Sequence, residues 1–196
     1  MKIILISILL IGMGLFIGNW MSYKTNEFPS ATIFEPALPI NFVPINKFTK
    51  RNLAKKWTFI GSCSAECQII LDSLNHIYSE LVKKNTLIHA EYKLETQFVI
   101  LNSRPNETIP FNKKFTILNN NLTDTISLYT DTYSDHLTNT NILLFDIFGR
   151  LRATFSPPFD PTQLAMDFIN IREKYAEKCC KIPDEQPNRV RFNYKE

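Results

Sequence analysis

Two cysteines between a short apolar run and an amphipathic helix constrain the fold of this chain more than any other feature. Residues 56–61 (KWTFIG) are short, apolar and aromatic, which is typical of a buried strand. Cys63 and Cys67 follow directly. Beyond them, apolar residues recur at the spacing of one helix face, at Ile70, Leu74, Ile77 and Leu81. The sequence therefore predicts a strand that runs through a Cys-x-x-x-Cys motif into a helix.

The remainder of the chain alternates between strand-like and helix-like patterns. We expect strands at 96–101, 141–145 and 151–155, a turn at 146–149, a short helix at 111–118 and a last helix from Pro161 onward. The last helix has its apolar face at Leu164, Phe168, Ile171 and Tyr175. The simplest architecture is α/β, a central mixed sheet flanked by helices. The order of strand, cysteine motif, helix, strand, helix and terminal hairpin is that of a thioredoxin-like domain.

Residues 3–18 (IILISILLIGMGLFIG) form an apolar segment with no charge and a single polar side chain, Ser7. Its length is near the lower limit of roughly 17–25 residues for a membrane-spanning helix. Trp20 and Tyr23 suit the membrane interface, and Lys2 supplies a positive cytoplasmic end. We predict a membrane anchor over residues 1–23; a cleaved signal segment and a buried core helix are the alternatives. The anchor or the signal would place the domain outside the cytoplasm, on the periplasmic or an equivalent side.

The rest of the chain divides into three predicted parts. Residues 24–46 contain four prolines among polar residues, which disfavours a helix or a central strand and predicts a tether. The folded domain is expected at 47–178, and a polar tail at 179–196. Cys179 and Cys180 are adjacent at the start of this tail and match no part of the other patterns.

Composition excludes two classes of partner. The chain has 196 residues, of which 44% are hydrophobic, and this suffices for one core. Its 22 basic and 19 acidic residues give a net charge of +3, and the basic residues are scattered, so nucleic acid is not an expected partner. The chain has only five glycines and neither of the glycine-rich phosphate-binding motifs, so nucleotide binding is not expected either.

The spacing of Cys63 and Cys67 is compatible with three kinds of chemistry. Two cysteines four residues apart in the first turn of a helix would lie on one face, with Cβ atoms about 5–6 Å apart. This allows two thiolates to bind a metal ion, a redox pair to exchange disulfides, or a purely structural disulfide to form. A helix N-terminus favours the thiolate, which is both the nucleophile and the soft ligand. CxxxC alone does not choose among the three.

Four stretches of the sequence, within residues 38–172, resemble the SCO/SenC family, the membrane-anchored, thioredoxin-like copper proteins of cytochrome c oxidase assembly. Cys63 and Cys67 have the family's CxxxC spacing. Residues 133–136 (YSDH), followed by the strand at 142–146 and by GRL at 149–151, look like its Y-x-V-D-H and YLIDPDGRL segments. Residues 48–58 and 98–108 are similar to its lead-in strand and its FVSVDPERDT loop. The resemblance implies a mononuclear copper site made of Cys63, Cys67 and His136.

Physical chemistry is consistent with that ligand set. Two thiolates and an imidazole form a soft, three-coordinate set that suits Cu(I). Asp135 is a candidate to orient the imidazole of His136. His76 and His89 have no such context. The sequence departs from the family's pattern at Ser64 and Gln68, where prolines are usual, at Asn102 and Asn106, where aspartates are usual, and in about two extra residues between His136 and Gly149.

Two functional hypotheses follow, with a structural disulfide as the third reading. The first is a non-enzymatic copper chaperone that passes one copper ion by ligand exchange to a cytochrome c oxidase subunit or another copper or thiol protein. The second is an extracytoplasmic thiol–disulfide oxidoreductase in which Cys63, expected nearer the helix start, attacks and Cys67 resolves. The first requires His136, whereas the second does not.

Overall fold

The computed structural model describes residues 28–64, 67–89, 94–104, 114–129 and 131–179. The strands are β1 (Ala31–Leu38), β2 (Ile40–Phe42), β3 (Lys56–Cys63), β4 (Ile88–His89), β5 (Leu94–Asn102), β6 (Phe115–Leu118), β7 (Ile126–Leu128), β8 (Ile142–Phe145) and β9 (Leu151–Phe155). The helices are α1 (Lys50–Leu53), α2 (Cys67–Lys83), α3 (Leu122–Thr125) and α4 (Pro161–Cys179), and a 3-10 helix lies at Asp131–His136.

A seven-stranded mixed sheet forms the centre of the domain. Its order is β1-β9-β8-β3-β5-β4, with β6 also paired to β5. β3 is parallel to β5 and antiparallel to β8, so Gly61 lies opposite both Ile100 and Ile142. β2 and β7 form a separate antiparallel pair. The strands at 96–101, 141–145 and 151–155, and the β3 strand, are confirmed to within a few residues.

Successive side chains of β3 enter two separate cores because they alternate between the faces of the sheet. Trp57 and Phe59 belong to the cluster that includes the long helices α2 and α4, and the Phe59 ring lies 4.8 Å from that of Phe168. Ile60 belongs to the cluster on the opposite face, with Phe34. The predicted apolar faces of both long helices are confirmed, since these side chains are buried: Ile70, Leu74, Ile77, Leu81, Leu164, Phe168, Ile171 and Tyr175.

The proline-rich segment is not a tether in the part that the structure describes. β1 pairs with β9 at the edge of the main sheet, and β2 pairs with β7. Upstream of β1, the Ser30 backbone amide donates to Asp167 Oδ2 of α4 (2.8 Å), and Phe28 is buried. The prediction was wrong because prolines are compatible with an edge strand, and aromatic residues among them supply buried area. Packed structure therefore begins by Phe28, well before residue 47.

β1 is also fixed to α4 by a buried tyrosine. The Tyr175 hydroxyl donates to Glu35 Oε2 over 2.9 Å. Burial, followed by this hydrogen bond, raises the pKa of Tyr175 above its ordinary value. The hydroxyl therefore stays protonated and keeps donating to Glu35 throughout the neutral range.

The short helix predicted at 111–118 is a strand where the structure describes it. β6 is parallel to β5, with Phe98 opposite Phe115 and Leu101 opposite Leu118. Phe115 and Leu118 are buried and Thr116 is exposed. The prediction was wrong because the periodicity of so short an apolar segment does not distinguish a helix from a strand. Pairing with β5 makes this segment a strand. Residues 111–113 lie outside the described residues.

The predicted anchor, and all of the predicted tail except its first residue, lie outside the described part of the chain. The anchor at 1–23 precedes Phe28. The tail predicted at 179–196 begins at Cys179, which is the last residue of α4, and residues 180–196 lie outside the described part. Between these limits, no described helix is both long enough and apolar enough to cross a membrane.

Gly61 allows α2 to pack directly on β3, and a methyl group there is expected to destabilise the fold. A Cβ at this position would lie 2.4 Å from Ile70 Cγ2 and 3.0 Å from Leu74 Cδ1, both buried. Gly61→Ala should therefore lower the free energy of unfolding by about 1–3 kcal/mol, the usual cost of overpacking. Urea unfolding measures this. In the Ile70→Ala background, which removes Cγ2, the same change should cost clearly less; an equal cost would contradict the packing explanation.

Candidate metal and redox centre

The two cysteines of the motif are joined by a disulfide at the junction of β3 and α2. Cys63 is the last residue of β3 and Cys67 the first residue of α2, and their Cα atoms lie 4.1 Å apart. Cys63 is buried, whereas Cys67 is half-buried. The expectation that both lie in the first helical turn, with Cys63 nearer the helix start, was wrong because β3 continues through Cys63. Cys67 is the more accessible sulfur at the helix N-terminus.

The backbone of Cys63 is held by the segment that follows β5. Cys63 lies opposite Asn102 in the parallel pairing. Its carbonyl oxygen accepts two hydrogen bonds from Ser103, one from the amide (3.1 Å) and one from the hydroxyl (2.8 Å). Asn102 is buried, and its Oδ1 accepts from the Arg104 amide (3.0 Å). Ser103, the first residue after β5, therefore lies directly beside the first cysteine.

His136 ends the 3-10 helix and is half-buried. Its ring meets the ring of Phe34 edge to face, with centroids 5.2 Å apart, and lies 6.4 Å from that of Tyr133. Its carbonyl oxygen accepts from Asn141 Nδ2 over 3.1 Å. Asp135 is exposed. The imidazole is thus oriented by aromatic rings, while the role of Asp135 as its orienting partner stays a prediction.

The loop after His136 reaches the end of β3 that bears Cys63. β8 begins at Ile142, opposite Gly61, so the residues before Ile142 run beside the residues after Gly61. The Ser62 hydroxyl donates to Asn139 Oδ1 across this junction (3.0 Å). Two segments far apart in the sequence therefore meet where β3 ends and β8 begins. This end of the central strands is the edge referred to below.

The three predicted ligands share this edge but not one face of the sheet. Cys63 belongs to the cluster with α2, whereas the ring of His136 contacts Phe34, which belongs to the opposite cluster. Among the described residues, no group of three His, Cys, Asp or Glu side chains is arranged to hold a metal ion. What the structure does provide is a sulfur pair that would become two adjacent thiolates on reduction, with an imidazole on the neighbouring loop. As a donor set this fits a soft ion.

The two other histidines lie away from this edge. His76 is exposed on α2, with Nε2 3.8 Å from Glu80 Oε1, one helical turn away. His89 is in β4, opposite Leu94. Cys179 is the last residue of α4, and Cys180 lies outside the described residues.

Sequence reasoning did not identify the contacts that Ser62, Asn139 and Phe34 make. A signal for Ser62 existed, because most buried side-chain hydroxyl groups have a hydrogen-bond partner. No comparable signal identified the partner, which is 77 residues away. Phe34 was not considered because its segment, residues 24–46, was predicted to be a tether.

Comparison with solved structures identifies the fold. The crystal structure of copper-bound yeast Sco1 matches 70% of this chain and 95% of its own, with a TM-score of 0.50 and 17% sequence identity. This chain has an α/β thioredoxin-like fold. A second yeast Sco1 structure matches at 14% identity, covering 71% and 99% of the two chains with a TM-score of 0.48. Copper-bound Arabidopsis thaliana ScoI matches at 14% identity, covering 65% and 90% with a TM-score of 0.46. Neither a protein-family model nor a curated protein matches the sequence.

Proposed function

We propose that this chain is a diverged member of the SCO/SenC family, a copper chaperone that serves the assembly of a cytochrome c oxidase copper site. The observation that carries the proposal is the Cys63–Cys67 pair at the β3–α2 junction, with the His136 loop hydrogen-bonded to the residue before Cys63. The sequence resemblance and a fold shared with copper-bound Sco1 support it.

Copper binding would require the disulfide to be reduced first. A partner dithiol would attack one sulfur, and a two-electron exchange would leave two thiols here and a disulfide on the partner. Half-buried Cys67 is the more accessible target, and the first thiolate released would be that of Cys63. Both thiols lose their protons when a metal ion binds, so affinity would fall as pH falls. For Cys63, Cys67 and His136 to hold copper together, the His136 ring would have to leave Phe34 and turn toward the cysteines. Copper is cargo, to be passed to the acceptor by ligand exchange.

The apolar segment at 3–18 supports a membrane-bound location for this chemistry. We propose that residues 1–23 anchor the chain and that the domain lies outside the cytoplasm. A disulfide is the expected state of a cysteine pair in such an oxidising compartment. The acceptor would be an oxidase subunit or another copper or thiol protein on the same side of the membrane.

A thiol–disulfide oxidoreductase is the second candidate, favoured by the half-buried position of Cys67 at the N-terminus of α2. A partly exposed cysteine at a helix N-terminus is the usual attacking thiol, since the helix dipole stabilises the thiolate. For this activity we therefore propose Cys67 as the attacking residue and Cys63 as the resolving one, the reverse of the assignment made from the sequence.

Substitution of His136 separates the two candidates. In a chaperone, His136→Ala removes one of three ligands, and the Cu(I) affinity of the reduced chain should fall more than about tenfold, the lower range for loss of a supporting group. An oxidoreductase would keep its rate of disulfide exchange. Competition with a chromophoric Cu(I) chelator measures the affinity, and a model dithiol measures the rate. His76→Ala is the matched control; equal affinities in both variants would contradict the ligand role.

A further inference from the structure

The buried hydroxyl of Ser62, the residue immediately before Cys63, makes a hydrogen bond to a residue distant in the sequence. Ser62 is 2% exposed and lies in β3 between Gly61 and Cys63. Its Oγ donates to Oδ1 of Asn139, which is exposed at the sheet edge (3.0 Å). A buried hydroxyl without a partner is costly, so this side chain favours positions of the loop that bring Asn139 to it.

The loop transmits that constraint to His136. Within the loop the Asn141 amide donates to the Thr138 carbonyl (3.2 Å), and the Leu137 amide donates to the Ser134 carbonyl (2.9 Å). Asn141 is buried, and its side-chain amide donates to the His136 carbonyl (3.1 Å). Hydrogen bonds thus join the segment between His136 and β8 to itself and to the end of the 3-10 helix that bears His136.

The loop has two attachments to β3, and only one of them is a side chain. The ladder between Gly61 and Ile142 fixes where β8 begins. The Ser62–Asn139 hydrogen bond fixes how the loop between His136 and β8 lies against the end of β3. Ser62 is the residue immediately before Cys63. The pairing of β3 with β8 alone would not determine where Asn139 lies relative to Ser62.

We propose that Ser62 is a positioning residue for the metal site, which sets the place of the His136 loop relative to Cys63 through its bond to Asn139. The copper part of this statement rests on the proposed function. The positioning part concerns the metal-free chain and can be tested without copper.

The test compares Ser62→Ala with Ser62→Thr in the full chain, with Ser79→Ala as the control. Ser79 also donates to a carbonyl, that of Asn75, but within α2 and away from the site. In the metal-free chain, Ser62→Ala should speed hydrogen exchange of the Leu137 and Asn141 amides roughly two- to tenfold, the range for loss of one hydrogen bond. Ser62→Thr, which keeps the hydroxyl but adds a methyl group, should speed exchange less than Ser62→Ala does, and Ser79→Ala should leave these rates unchanged. Unchanged exchange in Ser62→Ala would overturn the proposal.

A double-mutant cycle with Asn139→Ala completes the test. Since the two side chains form one bond, the double variant should lose no more protection than either single variant, and additive losses would overturn the proposal. Asn139→Ala also supplies the test should Ser62→Ala not fold, because Asn139 is exposed.

In the reduced chain, Ser62→Ala should lower Cu(I) affinity by about tenfold, as for other groups that support a ligand. If the parent chain binds no copper, the proposed function fails, while the exchange rates still decide the positioning role.

Discussion

Cys67→Ser is expected to abolish stoichiometric copper binding. The change replaces one of two soft thiolate donors by a hydroxyl that remains protonated, so the reduced site keeps a single sulfur. We expect Cu(I) affinity to fall by more than about 100-fold, beyond the range seen for loss of a supporting group. Cys67 is half-buried at the start of α2, so serine replaces it without creating a cavity. Chelator competition on the reduced chain measures the loss.

Substitution of Cys179 and Cys180 by serine is the matched control for that experiment. Cys179 is the last residue of α4, and Cys180 lies outside the described residues. Their double variant should bind copper as the parent chain does. Retention of one tightly bound ion in Cys67→Ser, with loss in the control, would place the site at the C-terminus and contradict the proposed ligands.

Asp146→Ala is expected to destabilise the domain by about 3–5 kcal/mol, the usual cost of leaving a buried charge without its partner. The Asp146 carboxylate is buried and accepts hydrogen bonds from the amides of Phe148 (3.0 Å) and Arg150 (3.1 Å). Its Oδ2 also accepts from the guanidinium of Arg150 (2.8 Å) and from that of buried Arg152 (3.4 Å). Alanine removes the acceptor from the hairpin turn and from both arginines at once.

The cost should lie mainly in the stranded charge of Arg152. Its guanidinium also donates to the Phe34 carbonyl (2.9 Å) and packs on the ring of Tyr175, so it cannot simply move to solvent. Asp146→Asn keeps an acceptor for the turn amides and should cost less. The control, Asp72→Ala on the exposed face of α2, should change stability by less than about 0.5 kcal/mol. Urea unfolding measures all three, and equal stability of Asp146→Ala and Asp72→Ala would contradict the buried-charge explanation.

The sequence predicts the core elements well where periodicity is long or strands are fully buried. Ile70 to Leu81 and Leu164 to Tyr175 follow one helix face over several turns, and all of the predicted positions are buried. β1 and β6 were missed because each depends on a partner strand distant in sequence: β9 for β1 and β5 for β6. Local pattern carries no information about such pairing, and tertiary context overrides the weak local preference.

In the candidate site too, the sequence predicts what depends on local spacing and does not predict what depends on distant contacts. The closeness of Cys63 and Cys67 follows from their spacing, and the structure joins them in a disulfide, a state that each of the three readings of the motif accommodates. Their placement in a strand and a helix, rather than in one helical turn, depends on how far β3 extends along β5. The contacts of His136 with Phe34 and of Ser62 with Asn139 join segments more than 70 residues apart, as the separation of 77 for the second pair illustrates. No local rule predicts them.

Copper stoichiometry of the reduced full chain tests the proposed function most directly. The chain would be purified in detergent under anaerobic conditions, with Cys179 and Cys180 replaced by serine, and titrated with Cu(I) against a chelator. We expect one tightly bound ion per chain and, after addition of Cu(II) to a parallel reduced sample, a strong thiolate-to-copper absorption band. Absence of stoichiometric binding would contradict the chaperone function, and the reduction potential of the Cys63–Cys67 pair would then distinguish an oxidoreductase from a structural disulfide.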